Sequence, residues 1–189
     1  MNVRDLMKSP QVCGPADSLD HAARILWEHD CGVVPVVDDK RRVIGMITDR
    51  DICMAAWTKG RTLGALPVHG AMARAVARCQ PTHDVEAALR IMAEAQVHRL
   101  PVVDANDRLL GILSLTDVLR ATQEKPTALR RRFALLVHDA LARINSPRDA
   151  ARKVAAKPAA KSSAKPLRKP ASQPAGKRAA QSAAKSASR

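Results

Sequence analysis

The sequence predicts an α+β fold built from a duplicated unit, and three observations carry that expectation. First, the chain matches itself at a displacement of 66 residues: GVVPVVD (Gly32 to Asp38) falls on HRLPVVD (His98 to Asp104), and GMITDRDI (Gly45 to Ile52) falls on GILSLTDV (Gly111 to Val118). The same displacement relates Cys13 to Cys79, Pro15 to Pro81, Leu19 to Val85 and Ala22 to Ala88. Second, short β-branched apolar runs alternate with stretches whose apolar residues recur at steps of three and four, the periods of a buried strand and an amphipathic helix. Third, the chain is 46% hydrophobic but only 2% aromatic. Its 189 residues therefore suffice for one domain or two small ones around an aliphatic core.

Each unit reads as strand, helix, strand, strand, helix. In the first, SLDHAARILWEHD places Leu19, Ala22, Ala23 and Leu26 on one helical face, and Cys31-Gly32 ends it with a residue tolerant of positive φ. VVPVV is a strand buried on both faces, DDKRR a turn, VIGMI the second strand and TDRDICMAAW the second helix. The second copy repeats this with a helix from about His83 to Ala95, strand LPVV, turn DAND, strand RLLGIL and a helix from about Ser114 to Ala121. Either unit alone is too small to cover its sheet, so two copies, residues 1–62 and 63–122, must pack together. Residues 126–146 then predict an amphipathic helix: Pro126 precedes the start at Thr127, Leu129, Phe133, Leu136, Ala140 and Ile144 form the stripe, and Asn145-Ser146-Pro147 ends it. Arg130, Arg131 and Arg132 sit near its beginning, where the helix dipole disfavours cations, so either solvent or a partner must accommodate them.

The formal net charge of +14 belongs to one end of the chain. Residues 1–120 hold 15 basic and 15 acidic groups, whereas residues 121–189 hold 17 against 3. Residues 147–189 are expected to be a disordered tail: from Ala150 there is no acidic residue, and Pro158, Pro166 and Pro170 interrupt the four-residue recurrence of Lys153, Lys157, Lys161, Lys165 and Lys169. The composition resembles the tails of linker histones and of Lys/Ala/Pro-rich bacterial nucleoid proteins. Residues 150–189 lack any aromatic to stack on bases, so nucleic acid would be held through phosphates alone and without sequence preference. A solubilising, polyanion-sticky segment without one dedicated partner is the alternative.

Several function classes recede on composition alone. No apolar run approaches the ~18 residues of a membrane span, and MNVRDLMKSP lacks a signal-peptide apolar region; a cytoplasmic location is expected, nucleoid-associated if the tail engages DNA. Cys13, Cys31, Cys53 and Cys79 sit singly, without zinc or redox spacing, and read as small buried hydrophobes. The six histidines are scattered and no phosphate-loop or dinucleotide fingerprint occurs, so a non-catalytic protein is expected. Asp49 and Asp51 have a spacing that suits Mg²⁺ and an ordinary helix start equally well.

The junction GMITDRDI admits two readings. Thr48 caps the following helix, with Asp51 completing a reciprocal cap, or the Thr hydroxyl and Asp carboxylate form a ligand site. Recurrence at Ser114 and Asp117 favours ligand contact, while simple capping stays open. The stretches GVVPVVDDKRRVIGMITDRDI and HRLPVVDANDRLLGILSLTDVL resemble a tandem pair of CBS domains, the Bateman module, from about Val3 to Arg120.

The resemblance implies two repeats packed pseudosymmetrically through their sheets, with clefts that take adenosine-containing ligands such as AMP, ADP, ATP or S-adenosylmethionine. The family's Gly, Ser/Thr and Asp motif falls on Gly45, Thr48 and Asp51 and on Gly111, Ser114 and Asp117. An ionised Asp can accept two ribose hydroxyls, and the hydroxyl side chain with helix N-terminal N–H groups can address phosphate. The adenine is expected against Val34 and Leu100. HRLPVVD resembles the phosphate-touching stretch of the AMP-activated protein kinase gamma subunit, which makes His98 and Arg99 phosphate contacts in one cleft only, because the first copy has Gly32 and Val33 there. Arg50 is a weaker phosphate candidate. By the same resemblance two modules associate as a disc, so a homodimer is expected. The rival expectation is a ligand-free dimeric scaffold tethered to DNA by its tail.

Overall fold

The computed structural model describes residues 1–123 and 126–147. Helix α1 (Leu19–Glu28), strands β1 (Val33–Val37) and β2 (Val43–Thr48) and helix α2 (Asp49–Lys59) form one repeat. Helix α3 (Val85–Ala95), strands β3 (Arg99–Val103) and β4 (Leu109–Ser114) and helix α4 (Leu115–Gln123) form the other. Helix α5 (Thr127–Ile144) follows. The basic tail and the expectation of disorder attached to it lie, after Pro147, outside the described residues.

Each repeat is organised around an antiparallel hairpin, β1 with β2 and β3 with β4, and the two hairpins share one register: Val34 faces Ile47, and Leu100 faces Leu113. The opening strand is a single parallel bridge in each, Cys13 beside Val36 and Cys79 beside Val102. On the far edge an antiparallel bridge adds Ala73 to Met46 and Lys8 to Ile112. The same bulge recurs between Val36 and Val37 and between Val102 and Val103.

The turns repeat as faithfully as the strands. Asp38 accepts the N–H groups of Lys40 and Arg42 through Oδ1, and Asp104 accepts those of Asn106 and Arg108 in the same way. Such a side-chain clasp mimics a backbone turn, and it holds Arg41 and Asp107 at φ 61° each. The end of α1 differs from expectation. The left-handed residue is Asp30 (φ 46°), matched after α3 by Gln96 (φ 52°), and not Gly32. A search for glycine misses such ends because Asp and Gln occupy the left-handed region here at modest strain.

The leading segments are exchanged between repeats. Val3 is fully buried in the core of the second repeat with Val85, Leu89, Met92 and Leu113. Val68 and Leu66, from the connection between repeats, complete the first core with Leu19, Leu26 and Ile47. The backbone marks the same exchange, since Val3 N–H donates to His83 O (2.9 Å) and Val68 N–H to Asp17 O (2.8 Å). Residues at the start of the chain thus stabilise the half that comes last. The hairpin turns meet across the pseudo-twofold, where Val37, Val43, Val103 and Leu109 form a shared cluster, and Arg78 clamps it by pairing with Asp107 (2.7 Å).

Helix α5 packs on α3 and α4 and buries Phe133, Val137, Ala140 and Ile144. Phe133, Ala140 and Ile144 of the expected stripe are thus buried, whereas Val137 joins them, Leu136 lies at the margin and Leu129 remains 38% exposed. Of the three arginines, Arg132 pairs with Glu86 on α3 at 2.5 Å. At the other end the Gln96 amide donates to the carbonyls of Arg143 and Ser146, which satisfies one of the last carbonyls of the helix and one just beyond its end.

Candidate functional site

The Thr48–Asp51 corner forms where β2 runs into α2. Thr48 is extended (φ −119°, ψ 165°), so its side chain turns back over the first helical turn and accepts from Asp51 N–H (3.2 Å). Asp51 Oδ2 in return accepts from Thr48 N–H (3.0 Å) and from the Thr48 hydroxyl (2.8 Å). Ser114 and Asp117 reproduce this between β4 and α4: Asp117 Oδ2 takes Ser114 N–H (3.1 Å) and the Ser114 hydroxyl (2.5 Å), and Ser114 Oγ takes Asp117 N–H (3.0 Å). Both corners are thus reciprocal caps, and each cap uses one carboxylate oxygen, Oδ2, and not Oδ1.

The glycines of the motif have a packing role. A Cβ on Gly45 would lie 2.5 Å from Met72 Sδ and 3.1 Å from Ala73 O, and one on Gly111 would lie 2.9 Å from Met7 Sδ. Only glycine lets the bridging segments, residues 72–73 and 7–8, cross β2 and β4 so closely.

Around this shared frame the two corners differ. Lys8 Nζ lies 2.5 Å from Asp117 Oδ1. Burial pushes the Asp117 carboxyl up, but hydrogen bonds from Lys8 and Ser114 outweigh it and hold the group below its ordinary value. Ala73 is the bridge residue that corresponds to Lys8 in the first repeat, and among the described residues no cation pairs with Asp51.

Arg99 spans the two repeats. Its backbone lies opposite Ser114 in the β3–β4 register, while its guanidinium reaches Gly32 of the first repeat; a Cβ at Gly32 would sit 3.2 Å from Arg99 Nη1. Gly32 in turn precedes Val33, which lies opposite Thr48. The guanidinium is consequently placed between the corners, half-buried and without an ion pair among the described residues. His98 flanks it at the surface, its carbonyl accepting Leu115 N–H (3.0 Å). Partial burial and then the neighbouring Arg99 charge hold the imidazole below its ordinary value, so at neutral pH it is an uncharged partner and not a second cation.

Two expected contacts change. Val34 and Leu100 are fully buried in the cores of their own repeats, so they present no surface on which an adenine could rest. A near-continuous apolar strand is buried on both faces, and the residue before proline is one of its core positions. Arg50 lies exposed on the first turn of α2, its N–H held by the Asp49 carboxylate (2.7 Å). The cysteines also divide. Burial pushes the Cys13 thiol up to about 12 and Cys79 to about 11, but Cys53 is exposed and departs from the expected buried role.

Sequence reasoning missed Lys8. Its signal is a second internal match, VRDLMKS on VHGAMAR, displaced by 65 residues, one short of the spacing that relates the rest of the repeats. Two concavities are present among the described residues, the first beside the opening turn of α2 that follows Thr48. One of about 410 Å³ between α1 and α2 is lined by Leu26, Trp27, Asp49, Ile52, Cys53 and Ala56; the other, of about 270 Å³, lies beside Glu86, Arg132 and Phe133. Among the described residues no group of three or more His, Cys, Asp or Glu is placed to hold a metal, and no helix is long and apolar enough to cross a membrane.

A sequence model of the CBS domain matches this chain twice, over residues 3–57 and 66–124. The chain belongs to the CBS-domain family. Among its relatives, CBS domain-containing protein YhcV of Bacillus subtilis (strain 168) is 35% identical over 118 residues, which span 62% of this chain and 82% of that one. Among solved structures, CBSX2 in complex with AMP superposes with a TM-score of 0.56 at 31% identity over 65% of this chain and 96% of the other. The CBS pair of protein MJ0100, in complex with 5′-methylthioadenosine and S-adenosyl-L-methionine, gives 0.59 at 26% over 67% and 98%. Against this CBS frame the local differences stand out: one CBS repeat brings Lys8 and Arg99 to its corner, and the other has Ala73 and Val33 at the matching places.

Proposed function

We propose that this CBS pair is a non-catalytic regulatory module that binds an adenosine-containing ligand, AMP, ADP, ATP or S-adenosylmethionine, in the clefts at the Thr48–Asp51 and Ser114–Asp117 corners. The observation that carries the reading is the half-buried Arg99 guanidinium lying between the two corners with no carboxylate partner among the described residues. A partly desolvated cation beside a helix start is set up for an anion, and a phosphate supplies one. The Oδ1 oxygens of Asp51 and Asp117, which the caps do not use, match ribose hydroxyls once Lys8 releases the second of them, and His98, uncharged, donates or accepts one further hydrogen bond. The CBS pairs solved with AMP and with S-adenosyl-L-methionine support the ligand class.

Thermal melting with AMP, ATP and S-adenosylmethionine tests this. A ligand that binds only the folded state raises the melting temperature with concentration, by about 2.7 kcal/mol of stabilisation at a hundred times its Kd. A flat response to all three would remove the sensing function. What would then remain is the second reading, a ligand-free scaffold, which draws support from the corners being satisfied internally by reciprocal caps. In either reading the module acts as a homodimer: Trp27 on α1 and Trp57 on α2 are 88% and 78% exposed, on the helix pair whose counterparts α3 and α4 carry α5. The tail from residue 150 acts as a non-specific DNA or polyanion tether through its eleven basic groups.

A further inference from the structure

We infer that Lys8 makes the second cleft selective for phosphorylated over unphosphorylated adenosine ligands, a device that the first cleft lacks. The inference rests on the ligand class proposed above. Lys8 is fixed at its backbone, where its N–H donates to Ile112 O (2.9 Å) and its carbonyl accepts Ile112 N–H (2.8 Å), and Met7 beside it packs on Gly111. From that anchor its ammonium reaches Asp117 Oδ1. Asp117 Oδ2 is already committed to the Ser114 cap. The carboxylate that would receive ribose hydroxyls therefore has its inner oxygen capped and its outer oxygen covered by an ammonium.

A ligand can use Asp117 Oδ1 only if Lys8 lets go of it. The Asp117 side chain is 11% exposed but that of Lys8 is 58% exposed, so it is the lysine that can move. An uncharged nucleoside gives the released ammonium no partner, and the ion pair opposes its binding. A nucleoside phosphate offers Lys8 a second anion beside Arg99, and the ammonium passes from carboxylate to phosphate as the ribose takes its place. At the first corner the equivalent residue is Ala73, with the same pair of backbone bonds to Met46 (3.0 and 2.8 Å) and no charge to displace. The two clefts thus differ in whether adenosine must compete with an internal cation.

The experiment is titration calorimetry of the full chain with AMP and with adenosine at one ionic strength, for the parent, Lys8→Ala and Lys8→Met. Lys8 sits on the surface and its fixed part is backbone, so both variants keep the fold; superimposable melting curves check this. The expected result is that adenosine binds the variants more tightly, by about three-fold or more, while AMP binding weakens, so that the preference for AMP falls from both sides. Loss of a positive charge alone would weaken AMP without improving adenosine. An adenosine affinity that does not rise in the variants, with AMP still bound by the parent, overturns the role of Lys8 and leaves the proposed ligand class standing. Failure of the parent to bind either compound overturns both.

Discussion

Replacing Arg99 by alanine separates a ligand contact from a structural one by the sign of its effect on stability. The guanidinium is half-buried, spans from β3 to Gly32 of the other repeat and has no ion pair among the described residues. Holding a cation there costs desolvation that nothing of opposite charge offsets. Its removal should therefore leave the unliganded protein equally stable or slightly more so, within about 0.5 kcal/mol, as for substitutions that break no packed or paired contact. The same change should weaken AMP binding by the value of a charge-assisted hydrogen bond, about 1.5–3 kcal/mol, or roughly ten- to a hundred-and-fifty-fold in Kd. Adenosine, which brings no phosphate, should change little. Paired measurements of urea midpoint and calorimetric Kd decide the matter. Arg99→Ala that loses more than about 1 kcal/mol of stability while binding AMP with parental affinity would mean that the guanidinium holds the repeats together, and the placement argued for the phosphate would be wrong.

Phe133→Ala on α5 should destabilise the folded domain by about 3–5 kcal/mol in chemical denaturation, because its ring is 6% exposed within the core it shares with α3 and α4; a loss below 1 kcal/mol would show that the helix docks only loosely. Acid should act through Asp117. Its carboxyl is held below the ordinary value in the folded chain, so its stabilisation is present above about pH 4 and is lost as the pH falls through the lowered folded value. Urea midpoints from pH 6 to 3 should fall less steeply for Lys8→Ala than for the parent, and identical slopes would contradict this. Deleting residues 150–189 should abolish retardation of duplex DNA, and in the full chain the logarithmic salt slope should be on the order of −10 if all eleven basic groups engage; retardation that survives the deletion would exonerate the tail.

The repeat was the most legible feature of the chain because duplication constrains strands, turns and left-handed positions together. Val34 and Leu100, Asp38 and Asp104, Arg41 and Asp107 all occupy matching places at one displacement. What the displacement hides is the exchange of leading segments. Val3 and Val68 correspond at 65 residues and not 66, and each fills the core of the repeat it does not precede. Periodicity reports which residues are apolar but not which partner surface receives them. For the same reason Val137 was missed and Leu129 included on α5: steps of three and four define a stripe only to within one residue, and the packing angle against α3 and α4 selects among them.

The corners carry the deeper lesson, because capping and ligand binding, read as rivals from GMITDRDI, are compatible in the folded chain. A reciprocal cap needs one carboxylate oxygen, and a carboxylate has two. Oδ2 fixes the helix start and with it the direction in which Oδ1 points, so the cap is what orients the acceptor that remains. The duplicated motif therefore specifies the same scaffold twice and leaves specificity to residues outside it. Arg99 supplies a guanidinium where Val33 supplies an apolar side chain, and Lys8 supplies an ammonium where Ala73 supplies a methyl group. Lys8 arrives on a segment that crosses to the corner from the start of the chain, and Arg99 on the strand paired with the corner itself. The motif alone would assign the two corners equal chemistry, whereas the residues beside it, one on a crossing segment and one on the paired strand, make them unequal, and that inequality is what a response to phosphorylation state would need.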